Sequence, residues 1–222
     1  RALGNLAVLC QRIGQLGEAE AIYREVLSIR RESGDERNPA YGKNLNNLGK
    51  LLEGQGKLDE AEPLLTEARE IALECEGAES AAYAVATISL AELLQARGQT
   101  AAAERLFQES LERMERIGEG RNPAFAACLT GLGEVHRLRG DYQQAEQFLR
   151  RADQALRAIY GEEHPTLSAN LGRLGNVLQE SGDYRGAEEI LGRVMEATRR
   201  RFGEASAEFA TCLTNLGMLR QR

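Results

Sequence analysis

Gly14-Gln15-Leu16-Gly17-Glu18-Ala19-Glu20 is the stretch that decides the fold, because its frame returns as Gly56 to Glu62, Gly98 to Glu104, Gly140 to Glu146 and Gly182 to Glu188. Glycine stands first, alanine sixth and glutamate seventh each time, and every copy begins 42 residues after the one before. Upstream, a leucine keeps the same register at Leu6, Leu48, Leu90, Leu132, Leu174 and Leu216. A small residue always follows it: Ala7, Gly49, Ala91, Gly133, Gly175 and Gly217. A constant period of this size marks a repeat array, whose units bury their apolar faces only by stacking on neighbours.

Inside one unit the apolar residues Leu45, Leu48 and Leu52, then Leu58, Ala61, Leu65 and Ala68, follow helical spacing. That is the stripe of two amphipathic helices, separated by a turn at Gly56-Lys57 with counterparts at Gly140-Asp141 and Gly182-Asp183. Each unit is therefore a helical hairpin. The first helix of successive units is preceded by Asn38, Ser80, Asn122, His164 and Ser206; Asn and Ser are favoured N-caps. Pro39, Pro123 and Pro165 follow three of these and suit the first helical position, where no amide hydrogen is needed. For second helices, Asp141 and Asp183 are expected to cap, with Gln144 placed for a capping box.

The reading gives about eleven helices, no strands, and breaks near Gly14, Gly56, Gly98, Gly140 and Gly182. The units run approximately over 1–37, 38–79, 80–121, 122–163 and 164–205, with a lone first helix over 206–222, and make a single solenoid over 1–222.

The small residue after leucine, the alanine of the second helix and the Gly-x-Tyr/Leu turn resemble the tetratricopeptide repeat. Asn-Pro or His-Pro before the first helix, Leu45-Asn46-Asn47-Leu48-Gly49, and Gly56-Lys57-Leu58-Asp59-Glu60-Ala61-Glu62-Pro63 are similar to the 42-residue kinesin-light-chain type. The resemblance implies an all-α, right-handed superhelical solenoid with first helices on a concave face and second helices behind. It also implies that the Asn-Asn pair contacts peptides; Asn46 and Asn47 match that pair fully, Asn5 and Asn215 half of it. The lysine, asparagine and arginine set with which chaperone-binding members clamp a carboxylate is not reproduced.

Composition narrows the function. Lys+Arg number 28 against Asp+Glu 34, for a net charge of −6 and a pI near 5.2. The whole molecule repels phosphate backbones, which argues against nucleic acid and anionic membranes as partners. No apolar run approaches the roughly 20 residues of a membrane span. Cys10, Cys75, Cys128 and Cys212 form no CxxC pair, and a reduced, cytoplasmic setting is expected. The chain begins at Arg1, and we expect it to be a segment of a larger protein.

No constellation for catalysis, metal or cofactor binding emerges. His136 occupies the packed slot of Cys10, Leu52, Leu94 and Leu178, and His164 the N-cap slot. The recurring Glu20, Glu62, Glu104, Glu146 and Glu188 lie early in the second helices, where negative charge complements the helix dipole.

The expected function is a protein–protein interaction scaffold, with a peptide or partner helix in the concave groove. The leucine register places Arg1, Asn5, Lys43, Asn46, Asn47, Lys50, Ser89, Glu92, Glu134, Arg173, Asn176 and Asn215 on that face. Arg1, Lys43 and Lys50 form its basic end, to which an acidic ligand segment would be steered, while Glu92 and Glu134 make its middle acidic. The alternative is a self-assembly module using the last helix, whose Leu213, Leu216, Leu219 and Met218 lack a hairpin partner.

Overall fold

Five side chains start the first helices in the way their register requires. Asn38 Oδ1 accepts from the Tyr41 amide at 2.9 Å, Ser80 Oγ from Tyr83 at 3.1 Å, Asn122 Oδ1 from Ala124 at 2.9 Å, His164 Nδ1 from Thr166 at 3.3 Å and Ser206 Oγ from Phe209 at 3.2 Å. In each case an orphan amide of the first turn gains a partner. At the other end of the helix, Gly140 takes φ 81° and ψ 7°, a left-handed conformation that costs glycine little.

The computed structural model describes residues 2–118, 122–162 and 164–219, apart from the side chains of Ala2, Ile117, Glu208, Asn215 and Met218. Among these residues it contains eleven helices and no strand. They are α1 (Ala2–Arg12), α2 (Leu16–Glu32), α3 (Pro39–Gly54), α4 (Leu58–Glu76), α5 (Ala81–Ala96), α6 (Thr100–Ile117), α7 (Pro123–Arg139), α8 (Tyr142–Tyr160), α9 (Pro165–Ser181), α10 (Tyr184–Phe202) and α11 (Ala207–Leu219). All five expected breaks fall between helices, and each break glycine has positive φ. A second set, Gly34, Gly77, Gly118, Gly161 and Gly203, does the same where hairpins join.

Asp183 caps α10 through the Gly186 amide at 2.9 Å, whereas Asp141 makes no capping bond to α8. Its carboxylate lies instead 3.6 Å from His136 Nδ1, so the expected box with Gln144 does not form.

The chain divides into two compact units, Arg1–Ser110 and Leu111–Arg222. In the first, α3 packs on α2 and α4, and α4 on α5, burying Tyr23, Tyr41, Leu45, Leu48, Leu52 and Leu65. In the second, α9 packs on α8 and α10, burying Leu149, Leu156, Leu167, Leu171, Leu174 and Ile190. One buried polar side chain belongs to this second core: Asn170 Nδ2 donates to the Leu149 carbonyl at 2.9 Å, and the Thr130 hydroxyl lies 3.2 Å from its Oδ1.

The residue after the recurring leucine sets how closely the two helices of a hairpin approach. A Cβ built on Gly49 would stand 2.6 Å from Leu65 Cγ, and one on Gly133 would stand 2.6 Å from Leu149 Cγ. Ala7 and Ala91 fill the same slot with no exposure at all.

Gly49→Ala separates two opposing effects. Helix propensity favours alanine by about 1 kcal/mol, while overpacking a fixed core costs about 1–3 kcal/mol. We expect a net loss, seen as a lower urea midpoint. Gly54→Ala, where an added Cβ meets nothing within 4 Å, should raise the midpoint instead.

Candidate functional site

In the first unit, first helices α1 and α3 face each other across a cleft of about 290 Å³ floored by Val26 and Arg30 of α2. Gly4, Asn5 and Val8 line it from α1, and Ala40, Lys43, Asn44 and Asn47 from α3. Three positions that the leucine register assigned to the concave face, Asn5, Lys43 and Asn47, thus share one surface. Lys43 is exposed and has no hydrogen bond or ion pair among the described residues. Burial pushes the Tyr23 phenol above its ordinary pKa, and its hydroxyl is buried without a hydrogen-bond partner.

A second, larger cleft of about 510 Å³ lies between α3, α4 and α5. Lys43, Asn46 and Asn47 form part of one wall, Ala68, Ile71 and Ala72 its back, and Ala82, Val85 and Ala86 the other side. Asn46 Oδ1 is buried there with no hydrogen-bond partner.

Lys50 does not serve as an open donor for an incoming ligand. Its Nζ lies 2.5 Å from Glu92 Oε2 and 2.7 Å from Glu53 Oε2, tying α3 to α5. Burial pulls the ammonium pKa down, but attraction by Glu92 and Glu53 and the hydrogen bond to Glu92 outweigh it, and the net shift is upward. The acidic character assigned to Glu92 is neutralised by the same contact. Ser89 is a correction of another kind: it is only 5% exposed and gives a ligand no surface. Residues 86–91 of α5 are buried without interruption, because this helix is apolar nearly all round.

The second unit repeats the clamp with charges exchanged. Glu134 stands in the slot of Lys50, and Arg137 bridges it at 2.7 Å to Glu180, also at 2.7 Å. The paired carboxylates push the Arg137 guanidinium further above its already high pKa. Arg173 and Asn176 are exposed and carry no hydrogen bond or ion pair among the described residues. Arg1 and the Asn215 side chain lie outside the described residues. In α11, Leu216 and Leu219 are buried against α10 and Leu213 is open, at 48% exposure; the Met218 side chain lies outside the described residues.

Both histidines have packing or capping roles. His136 stacks on Phe148 with ring centroids 5.3 Å apart, and His164, the cap of α9, stacks on Tyr160 at 4.2 Å. The recurring glutamate does more than complement a dipole. Glu20 accepts from Lys57 Nζ at 2.8 Å and from Arg24 at 3.0 Å, and Arg24 also reaches Glu60 at 2.7 Å. Glu62 and Asp59 both receive Arg97. Sequence position could show the i,i+4 pair of Glu20 with Arg24 but not the contacts of Lys57 and Arg97, which stand in the next unit. The cysteines are free thiols, no group of three His, Cys, Asp or Glu among the described residues could hold a metal ion, and no described helix is long and apolar enough to cross a membrane.

The tetratricopeptide repeat profile matches residues 1–74 and 82–158, and a second profile of the same repeat matches 171–208. The chain belongs to the tetratricopeptide repeat family. Among solved structures it is similar to BtubC (BKLC) from P. vanneervenii, with TM-score 0.73 and 24% identity over 90% of this chain and 80% of that one. It is also similar to the nearly identical TPR-like repeats of a Podosopora anserina kinesin-light-chain candidate, with TM-score 0.70 and 22% identity over 91% and 96%. The apo form of RapI aligns at TM-score 0.75 and 16% identity over 99% and 82%. At these identities the likeness concerns the fold. No curated protein sequence matches the chain at the same stringency.

Charge is divided unevenly in this tetratricopeptide array. Residues 1–110 hold twelve Lys+Arg against eighteen Asp+Glu, while residues 111–222 hold sixteen of each. The net charge therefore belongs entirely to the unit with the two clefts. All three lysines, Lys43, Lys50 and Lys57, lie there too.

Two expectations follow from these ion pairs. Lys50→Met should lower stability by about 0.5–1 kcal/mol, since it leaves two carboxylates facing each other, and a further Glu92→Gln should restore part of the loss in a double-mutant cycle of urea midpoints. Hydrogen bonding from Lys57 holds the Glu20 carboxyl below its ordinary pKa. Its contribution is thus present above about pH 4.3 and disappears as pH falls through the lower folded value. Glu20→Gln should flatten that acid limb of the stability curve.

Proposed function

We propose that this chain is a protein–protein interaction module that holds an extended partner segment along the α1–α3 face. Tetratricopeptide repeats generally mediate contacts between proteins, and the observation that carries the reading here is the α1–α3 cleft itself. Asn5 and Asn47 line it together, and an asparagine amide can donate to a main-chain carbonyl while accepting from a main-chain amide. Gly4 and Ala40 in the same lining keep side-chain bulk away from an approaching backbone. Lys43 is the unpaired cation beside them, on the unit that carries all the net negative charge. A carboxylate of the partner is placed there, with Lys50 already committed to Glu53 and Glu92.

Self-association is the second reading, and the observation that favours it lies on α1. Leu6, Leu9 and Ile13 are 44%, 54% and 63% exposed, whereas Leu48 and Leu51, at the register of Leu6 and Leu9, are buried. Light scattering separates the two: concentration-dependent association abolished by Leu9→Glu supports contact through α1.

For the peptide reading, Asn5→Ala with Asn47→Ala should weaken a purified partner at least tenfold by calorimetry. Lys43→Glu should mainly slow association and reduce its salt dependence. Unchanged affinity in the triple variant moves the binding surface off this cleft.

A further inference from the structure

Each second helix carries two residues, one turn apart, at the register that backs a cleft between first helices. The pair is Val26 and Arg30 in α2, Ser110 and Met114 in α6, Ala152 and Leu156 in α8, and Val194 and Thr198 in α10. In α4 alone both are alanine, Ala68 and Ala72. The consequence is visible in volume. The cleft backed by Val26 and Arg30 measures about 290 Å³, and the one backed by Ala68 and Ala72 about 510 Å³. The larger value falls within the roughly 300–1,000 Å³ of small-molecule sites, which are mostly apolar with a few placed polar groups.

The geometry points to a small-molecule site between α3, α4 and α5 that takes an anionic amphiphile. Its apolar body lies over Ala68, Ile71 and Ala72, one N–H or O–H donates to Asn46 Oδ1, and its acid group meets Lys43. The polar groups on the page select this class. Asn46 Oδ1 is buried and lacks a donor, and an unpaired buried acceptor is costly. Exposed Lys43 supplies an unpaired cation in the same lining.

A peptide main chain fits this cleft less well. Each residue of such a chain brings one N–H and one C=O that need partners. The wall is built mostly of alanine, valine and isoleucine side chains, and its polar side chains are confined to Lys43, Asn46, Asn47 and Glu76. A compact ligand with one donor and one acid group uses Asn46 and Lys43 and brings no main-chain groups that the apolar wall would leave unpaired, while Glu76 stays exposed to solvent.

The test uses 8-anilinonaphthalene-1-sulfonate, whose aromatic body, single N–H and sulfonate reproduce the three features, in fluorescence titrations of the whole chain. Saturable one-site binding is expected. Ala72→Leu, which places in α4 the residue α8 carries at that register, should weaken it at least tenfold, and Lys43→Gln about threefold. Leu9→Glu, on the exposed stripe of α1, should leave it unchanged. Circular dichroism checks the fold of each variant, and Ala68→Val, the residue of α2 and α10, replaces Ala72→Leu should the latter not fold.

Absence of saturable binding, or wild-type affinity in a folded Ala72→Leu variant, overturns the proposal. So does a displayed random dodecapeptide library that yields peptides competing with the dye and failing on Ala72→Leu, which would assign the cleft to a protein partner. Ala72 lies outside the α1–α3 cleft, so loss of dye binding with partner binding retained separates this site from the peptide surface.

Discussion

Everything in this array depends on how near the two helices of a hairpin come at the residue after the recurring leucine. Gly49 leaves no room for another carbon against Leu65, nor Gly133 against Leu149. Each leucine fully buried by that approach contributes about 1.5–3 kcal/mol, whereas an exposed ion pair gives about 0–1 kcal/mol. Packing therefore fixes the spacing, and charge follows it. Lys57 with Glu20, Arg24 with Glu60 and Lys50 with Glu92 join residues 36 to 42 apart in sequence. Those distances are bridgeable only because neighbouring hairpins stack at one separation.

Local chemistry was legible before any coordinates. The caps Asn38, Ser80, Asn122, His164 and Ser206 depend on a few adjacent residues, and a side chain two or three positions from an amide reaches it wherever the helix lies in space. Asp141 shows the limit. Its position is that of a cap, but its carboxylate stands beside His136 of the preceding helix and makes no capping bond. The cross-unit partners Glu92 of Lys50 and Lys57 of Glu20 were equally hidden, since no sequence rule gives the angle at which two long side chains from different units meet. Ser89 misled for a third reason. Its register matches Asn47, yet α5 is apolar on nearly every side and its whole middle is enclosed. The floor of the larger cleft was written plainly as Ala68 and Ala72, but alanine reads as good helix packing until the three surrounding helices are seen to leave space beside it.

The two clamps show how one task can be performed by opposite charges. In the first unit a lysine sits between two glutamates; in the second an arginine does, and the position of the lysine is held by a glutamate. Each arrangement leaves one surplus negative charge on the first-helix side. A ligand carboxylate therefore finds its attraction at Lys43 in the first unit and at Arg173 in the second rather than along the whole row, and the surface is more selective than a count of basic residues suggests.

The three lysines stand seven residues apart, at positions 43, 50 and 57. Two are engaged by carboxylates, and the remaining ε-amine borders both clefts. Reagents that acylate or cross-link amines thus have an exposed target, not engaged by a described carboxylate, at the place where a ligand would enter. A label attached through Lys43 would report occupancy of either cleft from a single, naturally supplied position, with no cysteine introduced and no second-unit lysine to confuse the signal.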